Sequence, residues 1–327
     1  MRIGLWNVRE REHFRLVRQL GATGVVYWSL APGEGESAID LLDLVALRSR
    51  CEDAGLEFVA AENLGFRTRF YDPIILGQPG RDQQIDAIAA SIRNLGRAGI
   101  PYFGYHWMVD PKAAGSNPVF STSLTTRTRG GALVRSFDLD LVRDAPLFRD
   151  REYSEEEMWG NYEYFIKAII PVAEEAGVTL SLHPDDPPIP HFGGIPRLFR
   201  SFEAFQRAME VADSPNWGLT FCLGNWALMG PGVLEKGLRY FGERGRICYI
   251  HFQAVRGTPE RFTECFFEEG QCDFLEVMRI LKELDFKGYM LPAHGPILEG
   301  DGGVGEGPHS HCYSVGYLQA LIRIVSG

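Results

Sequence analysis

Three side chains able to hold a divalent metal stand at the same place in consecutive strand-helix units: His183, Cys222 and His251. Each closes a short, mostly apolar run of β type. In a parallel barrel the ends of successive strands converge on one mouth, so ligands far apart in the chain meet there. Imidazole and thiolate together suit borderline ions such as Zn²⁺, Fe²⁺ or Mn²⁺. Taken singly, each has a plainer explanation, because a lone buried cysteine is usually a small apolar residue and a lone histidine usually sits satisfied in a core. It is the repetition at successive strand ends that favours a metal.

Other candidates gather around the same mouth. His294 follows the last strand, where it could be a fourth ligand, an acid-base group or neither. Asp185 and Asp186 follow His183 directly. A Pro-bounded acidic pair usually makes turns and caps, but here it could also support a ligand or meet a substrate hydroxyl. Glu62 ends the third strand and faces the same opening. Arg127, Arg129 and Arg135 lie in a long irregular stretch, and arginine is suited to bidentate binding of a carboxylate. His309, His311 and Tyr313 fall on a Gly-rich tail, where the two histidines read as surface residues. Cys265 and Cys272 near Glu264, Glu268 and Glu269 are too irregularly spaced for a second metal site.

The elements that must position these groups alternate regularly. Strands are expected at 2–6, 24–28, 56–61, 102–106, 178–183, 217–222, 247–251 and 289–293. Helices are expected at 11–20, 38–54, about 82–98, 153–176, 202–211, 233–241, 273–284 and 315–325. Eight such units with near-continuously apolar strands imply one (β/α)8 barrel, a TIM barrel, spanning residues 1–327. A doubly wound open sheet would carry a Gly-rich phosphate loop after its first strand, and Asn7-Val-Arg-Glu-Arg is not one. Between 107 and 152 periodicity is lost. So long a run is commonly a functional excursion, and after the fourth strand it would be an active-site lid.

Bulk properties narrow the partners. A chain of 327 residues, 45% of them hydrophobic, can bury a large core, and barrels of this length are routinely one domain. A net charge of −10 argues against nucleic acid or an anionic membrane. An anionic small substrate remains open, provided that arginines gather locally. No apolar run approaches the roughly 20 residues of a membrane span, and the N-terminus enters a strand without a signal-peptide run. The six cysteines show no CxxC spacing, so reduced thiols in the cytoplasm are expected.

Specific motifs add to this reading. His183-Pro-Asp-Asp-Pro-Pro, Ser214-Pro-Asn-x-Gly-Leu-Thr-x-Cys222-x-Gly and Ile250-His251-Phe resemble the D-mannonate dehydratase family. Leu76-Gly-x-Pro-Gly-Arg-Asp82, Ile92-Arg-Asn-Leu-x-x-Ala98-Gly-Ile, Phe262-x-Glu264-x-Phe-x-x-Glu269-Gly and Cys312-Tyr313-Ser-x-Gly continue the likeness over nearly the whole chain. The resemblance implies a xylose-isomerase-like barrel, a Mn²⁺ or Fe²⁺ ion, a homo-oligomer, and loss of water from D-mannonate to give 2-keto-3-deoxy-D-gluconate. It places His183, Cys222 and His251 on metal ligands, and His294 and Tyr313 on groups that move protons.

There are departures. The family's Pro-Asp-His-Gly, whose Asp is a ligand, is here Pro292-Ala293-His294-Gly295. Either the site holds metal more weakly, or His294, a water, Glu299 or Asp301 fills the gap. Gln253 stands where the family commonly has Arg, Thr263 where it has His, and Tyr105-His106-Trp107-Met108 where it has Tyr-Asn-Phe-Met. The lost Arg is consistent with one rival, a sugar isomerase or epimerase acting on a neutral sugar; a second rival, from another class, is a non-catalytic barrel that binds a sugar acid.

Overall fold

The computed structural model describes residues 1–9, 11–33, 37–63, 71–109, 121–302 and 307–327. The first half runs β1 (Arg2–Trp6), α1 (Arg11–Gln19), β2 (Gly24–Trp28), α2 (Leu41–Asp53), β3 (Glu57–Glu62), α3 (Asp72–Leu76), α4 (Arg81–Arg97) and β4 (Tyr102–Tyr105). Then come β5 (Ser123–Arg127), β6 (Leu133–Asp138), α5 (Glu155–Ala176), β7 (Thr179–Leu182), β8 (His191–Phe192), β9 (Ile195–Pro196) and α6 (Phe202–Ala212). The remainder is β10 (Trp217–Cys222), α7 (Leu223–Leu228), α8 (Val233–Glu243), β11 (Ile247–Phe252), β12 (Val255–Thr258), β13 (Arg261–Glu264), α9 (Phe274–Glu283), β14 (Tyr289–Pro292) and α10 (Pro308–Ser326).

Eight strands close a parallel barrel in the order β1-β14-β11-β10-β7-β4-β3-β2. The expected (β/α)8 architecture is therefore present. The strands are nearly continuously buried, as β10 shows with all of Trp217–Cys222 inside, because helices cover the outer face and side chains fill the interior. Local signals set the helix ends. Ser154 and Glu157 form a reciprocal capping box that starts α5, and Gly177 in the left-handed region ends it.

Two expectations need correction. The stretch after the fourth strand is not one structureless lid. Residues 110–120 lie outside the described residues, but β5 and β6 pair with each other, and β6 pairs antiparallel with β13 of the hairpin after β11, giving a sheet ordered β12-β13-β6-β5. Leu133 also bridges to Ile297, tying β6 to the loop that follows β14. The C-terminal helix begins at Pro308 rather than near 315, so His309, His311 and Tyr313 are helical and not on a loop. Pro at the first turn suits that start, since its missing N–H would have no intrahelical partner. His311 is buried against His13, with ring centroids 5.4 Å apart, and burial pushes it down to about 4.

Candidate active site and metal centre

Strand register brings the three expected ligands together. Cys222 and His251 are direct partners at the ends of β10 and β11. His183 follows β7, the other neighbour of β10, and its backbone N–H bonds to Tyr105 O at 3.0 Å. One ligand atom from each of His183, Cys222 and His251 lies within 4.8 Å of the other two, and all three residues are buried.

Their surroundings fit a cation. His183 Nδ1 lies 2.6 Å from Pro184 O, which fixes the proton on Nδ1 and leaves the Nε2 lone pair for a metal. Burial, with His106 and His251 beside it, holds His183 far below the usual histidine range, so it is neutral as a ligand must be. His251 Nε2 is buried and makes no hydrogen bond, although Glu62 Oε2 lies 3.3 Å from it. Helix α7 starts immediately after Cys222, and one turn on, Asn225 Nδ2 donates to Sγ at 3.3 Å. Burial pushes the Cys222 thiol up to about 12, and it donates to Gln253 Oε1 at 2.9 Å. A cation taking the sulfur must therefore displace that proton.

Glu62, at the end of β3, braces this cluster. Its Oε1 is 3.0 Å from His106 Nε2, while its Oε2 is 2.7 Å from the Tyr249 hydroxyl and 3.3 Å from His251 Nε2. Burial opposes its charge, but His251 and His106 outweigh that and hold the carboxyl well below the ordinary range. His106 lies flat on His183 at 4.0 Å between centroids. Gly104 makes the arrangement sterically feasible, because a Cβ there would stand 2.3 Å from the Tyr249 oxygen and 2.6 Å from Glu62 Cγ.

The second half of the site comes from the added sheet. Arg135 on β6 meets Glu264 at the end of β13 through Nε at 3.1 Å and Nη2 at 2.6 Å. The same Nη2 touches His294 Nδ1. Gln253 Nε2 contacts both Glu264 Oε1, at 2.8 Å, and His294 Nδ1, at 3.0 Å. Burial would raise the Glu264 carboxyl, yet Arg135 and His294 hold it down at about 2. His294 itself sits in the left-handed region at φ 57°, a conformation uncommon outside glycine that tends to persist where function over-determines it. Its Nδ1 finds donors in Arg135 and Gln253 and an acceptor in Glu264 at 2.8 Å. That nitrogen is thus matched both with and without a proton.

The family profile of D-mannonate dehydratase (UxuA) matches residues 5–146 and 138–326. A mannonate dehydratase of Oceanobacillus iheyensis is 30% identical over 311 residues, covering 85% of this chain and 84% of that protein. One of Thermotoga petrophila is 30% identical, covering 87% and 86%. This chain belongs to the D-mannonate dehydratase family. The crystal structure of mannonate dehydratase from Streptococcus suis serotype 2 superposes with a TM-score of 0.85 at 29% identity, over 99% of this chain and 93% of that one. An L-ribulose 3-epimerase structure reaches a TM-score of 0.62 at 14% identity, which speaks to the shared barrel alone.

The remaining candidates sort themselves by partner. Ala293 is buried, and neither Glu299 nor Asp301 stands in for the missing carboxylate. Glu299 is exposed, and Asp301 accepts from the backbone N–H groups of Leu298, His309 and Ser310 at the start of α10. Arg127 is exposed on β5, so Arg135 is the arginine of that stretch that reaches the site. Asp185 is used in folding its own loop, with Oδ2 accepting from Phe199 N at 2.6 Å and Oδ1 3.7 Å from Arg197. Burial, partly offset by Arg197, lifts it to about 6. Tyr313 donates to Glu268 at 2.5 Å and accepts from Phe267 N at 2.7 Å. Asn225 and Glu264 complete the site without having been proposed for it, and His106 and Gln253 had been noted only as departures from the family pattern. For His106 the signal was available: like His183, it directly follows a barrel strand.

Proposed function

We propose that this chain is a metal-dependent hydro-lyase that converts D-mannonate to 2-keto-3-deoxy-D-gluconate and water, in hexuronate catabolism. The observation that carries the reading is the buried His183, Cys222 and His251 cluster, set beside His294 in a member of this family. Mn²⁺ or Fe²⁺ is the proposed ion, held by those three residues. When bound it would supply Lewis-acid stabilisation of the charge that develops beside the carboxylate.

The chain's own groups account for the proton traffic. His294, whose Nδ1 is matched in either protonation state, takes the proton from C2 of the substrate. Tyr313, which burial and Glu268 keep neutral, gives a proton to the departing C3 hydroxyl. The C3–O bond breaks, water leaves, and the resulting enol becomes the 2-keto acid as its C2 hydroxyl loses a proton and C3 accepts one. Arg135 is the cation proposed to favour an acidic substrate. Its place beside the site speaks against the neutral-sugar rival, which rested on Gln253 in place of an arginine.

The six cysteines are free, which supports a cytoplasmic setting, and among the described residues no helix is long and apolar enough to cross a membrane. A homo-oligomer is part of the proposal on the family likeness alone. The reaction can be followed by NMR in D2O. The expected product is the 2-keto-3-deoxy acid with one deuterium at C3. Conversion of a neutral ketose in preference to D-mannonate would instead indicate an isomerase, and D-mannonate bound but unchanged would indicate a binding barrel.

A further inference from the structure

Of the two adjacent acids after His183, one has a hydrogen-bonded oxygen and the other has none. Asp185 bonds to Phe199 and faces Arg197. Asp186 is completely buried, yet neither of its carboxylate oxygens has a hydrogen-bond partner. The nearest cation is Arg135, whose Nη2 is 3.7 Å from Oδ2, beyond hydrogen-bond length. That nitrogen is already committed to Glu264 and His294. The backbone offers no relief, since the Asp186 N–H points to Met108 Sδ at 3.2 Å. A buried ionised carboxylate normally has each oxygen satisfied, so two orphaned acceptors call for a donor that the protein does not provide.

Position suggests which donor. Asp186 is one guanidinium away from His294 and three residues from the ligand His183. A carboxylate is an acceptor only, and a sugar acid presents hydroxyl donors along its chain. We propose that Asp186 accepts a hydrogen bond from a hydroxyl of the substrate and so selects a polyhydroxy acid over a plain one. This rests on the reading of the site given above and names a residue that reads the substrate's chain. It does not make Asp186 a metal ligand.

The test pairs Asp186→Asn with substrates each lacking one hydroxyl. In the Mn²⁺-loaded wild-type protein, one monodeoxy analogue of D-mannonate should lose about 10- to 100-fold in kcat/KM, the worth of a charged hydrogen bond. Asp186→Asn should lose a similar factor on D-mannonate and nothing further on that analogue. Its metal stoichiometry and thermal midpoint should stay at the wild-type values, with Asp186→Ala repeating the result. Equal kcat/KM for the variant and the wild type overturns the proposal, as an internal water satisfying Asp186 would give that result. Loss of metal from Asp186→Asn also overturns it, by making the residue a ligand. If the wild type neither binds nor turns over D-mannonate, the reading of the site fails and takes this inference with it.

Discussion

Cys222 carries the most direct consequence at the scale of single residues. Burial holds its thiol near 12, so at neutral pH a bound cation must expel one proton, while His183 is already neutral and contributes none. Metal affinity should therefore rise with pH, by about tenfold per unit around neutrality. Titration calorimetry in buffers of different ionisation enthalpy would count the released proton, and a pH-independent affinity would contradict the thiolate as a ligand. Replacing Cys222 or His251 by Ala should abolish stoichiometric binding, which elemental analysis after dialysis would show. Full metal in both variants would sink the site.

Among the elements, the decisive contact is between the β6–β13 sheet and the barrel mouth. Arg135, Glu264 and His294 lock the sheet to the loop after β14, and the Leu133 to Ile297 bridge reinforces that contact. Arg135→Met leaves Glu264 buried without its main cation and should cost about 3–5 kcal/mol, readable as a fall in urea midpoint; an unchanged midpoint would show the pair to be incidental. Because the folded-state carboxyl of Glu264 lies below its ordinary value of 4.5, at about 2, its contribution is full above pH 4.5. That contribution is lost as pH falls towards 2, and it amounts to about 3 kcal/mol. The pH dependence of stability should accordingly flatten in Glu264→Gln below pH 4.5. None of this was legible in the sequence, since β6 and β13 pair across more than a hundred residues and neither has an apolar run long enough to announce a strand.

For the whole molecule, the strand-end rule was the informative one. His183, Cys222, His251 and Glu62 all end apolar runs, and a barrel turns that single feature into one cluster. What the sequence could not separate were groups of the same type in one stretch. Arg127 and Arg135 differ by which strand of an unseen sheet they occupy, the edge strand β5 or the inner strand β6, and Asp185 and Asp186 by which one bonds to the loop's own backbone. His311 looked exposed because the onset of α10 at Pro308 leaves no hydrophobic periodicity before Val315. The most direct test of the central claim is turnover of D-mannonate by protein stripped with a chelator and then reconstituted with Mn²⁺. The expected result is 2-keto-3-deoxy-D-gluconate formed only after metal is restored. Stoichiometric metal with no product, or equal product with and without metal, would contradict it.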